Sequence, residues 1–169
     1  MIYKPIIFCY NKIVAYATIG GKMIKLTKLI GIIERCSLQY RTDQFKEFGL
    51  CGAHHKYIFY VCRRPGMSQD QLAKDIHLNK SNVARSIKAL EDGGFVEVRL
   101  DEADRRINRI YPTEKAYDIL PFIRNKIKTW NEILLTGLTD EQKEELDKML
   151  HIISENAIAG IEEENENDI

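Results

Sequence analysis

A chain of 169 residues that is 44% hydrophobic and 30% charged has enough apolar material for one compact lobe, with no need of metal or disulfide to hold it. Its 25 basic and 25 acidic side chains cancel, which excludes a uniformly basic protein but not a local basic surface. The balance is uneven: residues 1–35 hold six Lys/Arg against one acid, and residues 139–169 hold eleven Asp/Glu against two lysines.

Residues 1–22 are apolar and basic but broken by Pro5, Asn11 and Lys12, too short in each apolar segment for a signal peptide. Gly20-Gly21-Lys22-Met23 is what a purine-rich ribosome-binding sequence gives when translated in frame. That makes Met23 a candidate natural start; the other reading is an arm or an extra strand. Met23 to about Phe48 reads as a helix, with Leu26, Leu29, Ile30 and Ile33 at helical spacing. Gly49 and Gly52 interrupt it, and a second helix runs from His54 to Arg64 before Pro65-Gly66. Cys9, Cys36, Cys51 and Cys62 show no paired spacing, as expected of reduced thiols in a cytoplasmic protein. No apolar run reaches the ~20 residues of a membrane span, so no membrane partner is expected.

Ser68-Gln69-Asp70-Gln71 is a capping box that opens a short helix ending near His77. Asn79 or Ser81 caps the next helix, in which Val83, Ile87 and Leu90 form the buried stripe and Gly93-Gly94 the stop. Two short helices joined by a tight turn are a helix-turn-helix. The second keeps a polar face of Lys80, Ser81, Asn82, Arg85, Ser86 and Lys88, suited to base edges and phosphates. Ser68 and Gln69, at the start of the first helix, join this candidate surface. Phe95–Leu100 then reads as a strand, Asp101–Arg106 as a turn and Ile107–Tyr111 as the return strand, closed by Pro112. Arg99, Arg105, Arg106 and Arg109 make this hairpin a basic wing. Arginine suits a narrow minor groove, and Asp104 is placed to hold the Arg106 guanidinium in one rotamer. The fold class is therefore mainly α with a small β-hairpin wing.

Thr113 is expected to cap a long helix to about Gly137, kinked or broken at Pro121. Thr139-Asp140-Glu141-Gln142 is a second capping box, and its helix carries Leu146, Met149, Leu150, Ile153 and Ala157 along one side. The acidic end is expected to fray.

Residues 26–155 together resemble the MarR family of bacterial transcriptional regulators. The wing carries that family's pattern of Asp-x-Arg, five residues, Leu-Thr, two residues and Gly. Asp104, Arg106 and Thr113 match; Pro112 stands for Leu and Ala116 for Gly, both at the hairpin exit. The resemblance implies a homodimer, with residues 23–48 and 114–158 as dimerisation helices around a winged lobe at 49–113, and 159–169 as an acidic tail. It implies a repressor on a pseudo-palindromic double-stranded operator, with Arg106 in the minor groove, Asp104 orienting it, and Arg105 beside them among the DNA-binding residues. It further implies an unidentified small-molecule effector, for which Cys36, Tyr40, Tyr57, Phe122 and Trp130 are candidate lining residues. Zinc sensing is disfavoured because Cys51, His54 and His55 fall short of four ligands. Cys36, next to Arg35, is a candidate redox thiolate. No metal or cofactor is expected. No phosphate loop, nucleophile elbow or HExxH motif points to an enzyme. The competing class is a winged-helix module that contacts protein instead of DNA.

Overall fold

The computed structural model describes Thr18–Ile19, Lys22–Met23 and residues 25–167, with side chains described for residues 25–161. The chain divides into two units, residues 1–38 and 39–169. In the first, β1 (Thr18–Ile19) and β2 (Lys22–Met23) pair antiparallel, Thr18 opposite Met23. Most of the 1–22 leader lies outside the described residues. Helix α1 (Leu26–Phe45) starts in this unit and ends in the next, followed by one 3-10 turn, Lys46–Phe48.

The second unit holds the lobe. Helix α2 (His54–Arg63) leads through the Pro65-Gly66 turn to β3 (Met67–Ser68), then α3 (Gln69–Asp75) and α4 (Lys80–Asp92). Strands β4 (Val96–Leu100) and β5 (Asn108–Pro112) form the hairpin, and α5 (Glu114–Leu134) and α6 (Asp140–Asn167) follow. The sheet has three strands in the order β3-β5-β4, all antiparallel. Strand β3 was not expected: two residues are too few to show alternation. It matters, because it pairs Ser68, the cap of α3, with Arg109 of the wing.

The core lies where these elements meet. Tyr57, Ile58 and Val61 of α2 are buried with Leu72 of α3, with Val83, Ile87 and Leu90 of α4, with Phe95 just before β4, and with Val96 and Ile110 of the sheet. Fully burying one such side chain is worth about 1.5–3 kcal/mol, so the stripe predicted on α4 is what seats that helix. Both capping boxes form. Ser68 Oγ accepts from the Gln71 N–H at 3.1 Å while Gln71 Oε1 accepts from the Ser68 N–H at 2.9 Å, and Thr139 and Gln142 repeat the exchange.

Three expectations need correcting. Thr113 stands at the N-cap of α5, but its hydroxyl donates to the carbonyls of Gly94 and Phe95, tying the helix to the sheet instead of capping it. Helix α5 runs through Pro121 without a break. Helix α6 continues through the acidic run to Asn167, in line with the good helix propensity of its glutamates.

Candidate nucleic-acid interface

The turn between α3 and α4 is closed by backbone bonds from the N–H groups of Ile76, His77 and Leu78 to Leu72, Lys74 and Ala73. His77 takes φ +50°, a conformation usually left to glycine, so its role in this turn is structural. Asn79 caps α4, its Oδ1 accepting from the Asn82 N–H at 2.9 Å. With about 100° per residue, burial of Val83, Ile87 and Leu90 turns Ser81 and Arg85 directly away from the core, with Asn82 and Ser86 on the flank. Ser81 and Arg85 are exposed; Asn82 and Ser86 are half-buried.

The structure separates the candidate cations on this face. Lys80 pairs with Asp70 across the two helices at 3.0 Å. The Arg85 guanidinium donates to Asn82 Oδ1, which holds it along the helix surface. Lys88 is held between Asp92 at 2.9 Å and Glu91 at 3.2 Å. Hydrogen bonds to those two carboxylates push its pKa up. The free polar face therefore occupies the first two turns of α4, the part of a recognition helix that reaches base edges.

The wing separates its arginines as well. Arg99 donates to Glu97 at 2.6 Å and lies over the Tyr111 ring at 4.8 Å. Arg109 Nε donates to Asp101 at 2.6 Å, and its Nη1 donates to the Gly66 carbonyl at 3.2 Å. Arg105 and Arg106 are exposed, and their guanidinium groups make no hydrogen bond or ion pair among the described residues. Asp104 does not hold the Arg106 side chain as expected. Its Oδ1 accepts from the Arg106 backbone N–H at 3.0 Å, because a carboxylate two residues back reaches the turn amide before the distal guanidinium. Asp101 organises the turn: its Oδ1 accepts from the N–H groups of Ala103 and Asp104, both at 2.9 Å. The Asp104 N–H, then the Arg109 guanidinium, hold its carboxyl below the usual range.

Sequence reasoning missed Asp101, Arg109, Gly66 and Asp70. For Asp101 a signal existed, since Asp at a strand end followed by a polar loop favours such a turn. For Arg109 and Asp70 none did, because their partners are remote in sequence.

A cleft of about 210 Å³ joins the two halves of the surface, lined by Ser68, Gln69, Asp70, Arg106, Ile107 and Asn108. The first turn of α3 and the wing tip thus share one wall. A second concavity, of about 460 Å³, is lined by Asn82, Arg85 and Ser86 of α4 with His54 and Tyr57 of α2.

Residues 48–107 match the model of the MarR family. The uncharacterised HTH-type transcriptional regulator YybA of Bacillus subtilis is 31% identical over 134 residues, covering 79% of this chain and 89% of that protein. The chain belongs to the MarR family. A MarR transcriptional regulator from Methanosarcina mazei Go1 has a TM-score of 0.74 at 28% identity, covering 79% of this chain and 96% of the other. A MarR family regulator from Listeria monocytogenes, crystallised with a 26-mer DNA, has a TM-score of 0.73 at 25% identity, covering 79% and 89%. The resemblance read from Asp104, Arg106 and Thr113 is confirmed, as is the winged helix-turn-helix fold. No helix of the described residues is long and apolar enough to cross a membrane.

Of the candidate effector residues, Tyr57 is core, at 2% exposure. Tyr40 and Trp130 stack with ring centroids 4.5 Å apart. Phe122 packs against Phe45 and Phe48. Cys36 is exposed. Around the zinc candidates, His54 Nδ1 accepts from the Cys51 N–H and His55 Nδ1 bonds the Gly52 carbonyl, so both rings serve the backbone at the start of α2.

Proposed function

We propose that this MarR-family chain is a dimeric, sequence-specific DNA-binding regulator of transcription, acting as a ligand-responsive repressor in the cytoplasm. The recognition face is the first two turns of α4, with Arg85 and Ser81 toward bases and Lys80 reaching a phosphate by exchanging its Asp70 partner for it. Ser68 and Gln69 contact the backbone from the start of α3, and Arg105 and Arg106 enter the adjacent minor groove. One observation carries this reading. The lobe leaves two guanidinium groups unpaired at the wing tip while it pairs Arg99 and Arg109 within the same hairpin. A protein-contacting surface would favour an apolar centre there. Among the candidate effector residues, Tyr40, Phe122 and Trp130 are half-buried, with Tyr40 stacked on Trp130 and Phe122 packed against Phe48, and they are the ones this reading keeps for an effector wall.

The test is fluorescence anisotropy with the duplex upstream of the chain's own gene against a scrambled duplex, repeated with Arg106→Ala. Saturable preference for the native duplex, lost in the variant, is expected. Equal weak binding to duplexes tiled across all candidate promoters would turn the reading toward a protein-contacting lobe.

A further inference from the structure

The wing is held at two levels. Its tip is closed on itself: the Asp101 N–H donates to the Ile107 carbonyl, the Ile107 N–H donates to the Asp104 carbonyl, and Asp101 Oδ1 caps two more amides. Its root is tied elsewhere. Asp101 Oδ2 grips Arg109, and Arg109 reaches the carbonyl of Gly66, 43 residues away in sequence. Both partners are largely covered, with side-chain exposures of 31% for Arg109 and 16% for Asp101. Gly66 sits at the entry to β3, whose Ser68 caps the first helix of the helix-turn-helix and pairs with Arg109 in register.

We propose that Asp101 and Arg109 are positioning residues: a brace that fixes the wing's angle to the helix-turn-helix, so that Arg106 meets the minor groove while α4 sits in the major groove. The proposal rests on the DNA-binding reading above. The lever arm sets its weight. Arg106 lies in the turn three residues from Arg109 toward the tip, an arm of at most roughly 10 Å of chain. A functional group must be held to about 10–20°, and that swing over such an arm moves the tip by ~2–3 Å, a large part of a minor groove roughly 6 Å wide. The two carboxylate oxygens of Asp101 divide the work. Oδ1 shapes the loop, and Oδ2 aims it.

Asp101→Asn separates these tasks. The amide keeps an oxygen for the Ala103 and Asp104 N–H groups but turns a donor toward Arg109. It also removes a negative charge near DNA, so long-range electrostatics alone would tighten binding to every duplex. The brace requires the opposite sign.

The experiment measures anisotropy with two duplexes: the native one, and one whose flanking adenines are replaced by 2,6-diaminopurine. That base adds an amino group to the minor-groove floor and leaves the major-groove edge unchanged. Wild-type protein is expected to bind the substituted duplex roughly tenfold more weakly. Asp101→Asn is expected to lose most of that penalty by binding the native duplex more weakly, and Asp101→Asn with Arg106→Ala to bind no more weakly than Arg106→Ala alone. Arg109→Lys, which keeps the charge but loses the fork that reaches Gly66, is expected to behave like Asp101→Asn, and it carries the test if the first variant unfolds. A role confined to stability would shift the melting temperature and leave the diaminopurine penalty intact. Binding by Asp101→Asn as tight as wild type, with the penalty intact, overturns the brace while leaving the DNA reading in place. Wild-type binding indifferent to native against scrambled duplex overturns both.

Discussion

At the scale of single residues, identity and exposure do not by themselves assign a role. Arg85 and Lys88 are both exposed cations on α4, three residues apart. Arg85 is pinned by a neutral amide that costs it no charge, whereas Lys88 is neutralised by two carboxylates. Arg85→Ala is expected to cost about 1–3 kcal/mol of operator binding and to relax preference at one base position. Lys88→Ala is expected to leave affinity and salt slope nearly unchanged, where a true phosphate contact would lower the slope by about one. A full unit lost in the salt titration of Lys88→Ala would return that lysine to the interface. His55 gives a second prediction at this scale. Burial lowers its pKa from 6.5 to about 4, helped by the charges of Arg41 and Lys56 and opposed by its bond to the Gly52 carbonyl. Between those values the unfolded chain binds a proton that the folded chain does not. Stability from neutral His55 is therefore whole above about pH 6.5 and falls as the pH drops to about 4, by roughly 3 kcal/mol at most. Urea unfolding of wild type and His55→Gln at pH 7 and pH 5 checks this; identical pH dependence in the two proteins would sink it.

At the scale of elements, the short pieces are specified by their ends and oriented by their contacts. The box at Ser68 starts α3, and the paired residues Met67 and Ser68 fix its entry from the sheet. The turn before it depends on Gly66. Its φ is +82°, its N–H donates to the Ile110 carbonyl at 2.8 Å, and an added Cβ would lie 3.2 Å from the Tyr111 ring. Gly94 has a similar φ of +72° but open space around it. Gly94→Ala should cost only the left-handed backbone term, about 1–2 kcal/mol, and Gly66→Ala should cost clearly more. Denaturant midpoints of the two variants rank them, and equal losses would mean that Tyr111 moves aside freely. That ring also carries Arg99, so its displacement would be felt in the wing.

At the scale of the molecule, the winged lobe has a closed core while the terminal helices do not. Within the first unit, Leu29 is 53% and Ile33 48% exposed on α1. Within the second, Met149 is 46% and Ile152 58% exposed on α6. Apolar rows of this kind mark surfaces that associate, and two winged lobes held a helical turn apart are what a pseudo-palindromic operator requires. Ile152→Glu is expected to weaken self-association more than tenfold, since burying one Ile is worth about 1.5–3 kcal/mol and the carboxylate opposes it. Sedimentation velocity reads the change, with lobe folding checked by circular dichroism. A variant that self-associates as wild type does would place the proposed interface elsewhere.

The helix-turn-helix, the hairpin, both capping boxes and the arginine-rich tip were legible in the sequence, because each is set by residues within a turn or two of one another. Local hydrogen bonds and 3.6-residue or two-residue periodicity leave a direct trace in residue order. Tertiary structure alone decided which cations are free. Lys80 is paired through Asp70 on another helix, Arg109 through Asp101 and a carbonyl 43 residues away in sequence, and Arg105 and Arg106 are left outward while Asp101 divides its oxygens between the loop backbone and Arg109 and Asp104 accepts from a backbone amide. Composition counts charges; only the packed chain determines which of them meet a partner, since pairing depends on distances of a few ångströms between residues that the sequence holds far apart.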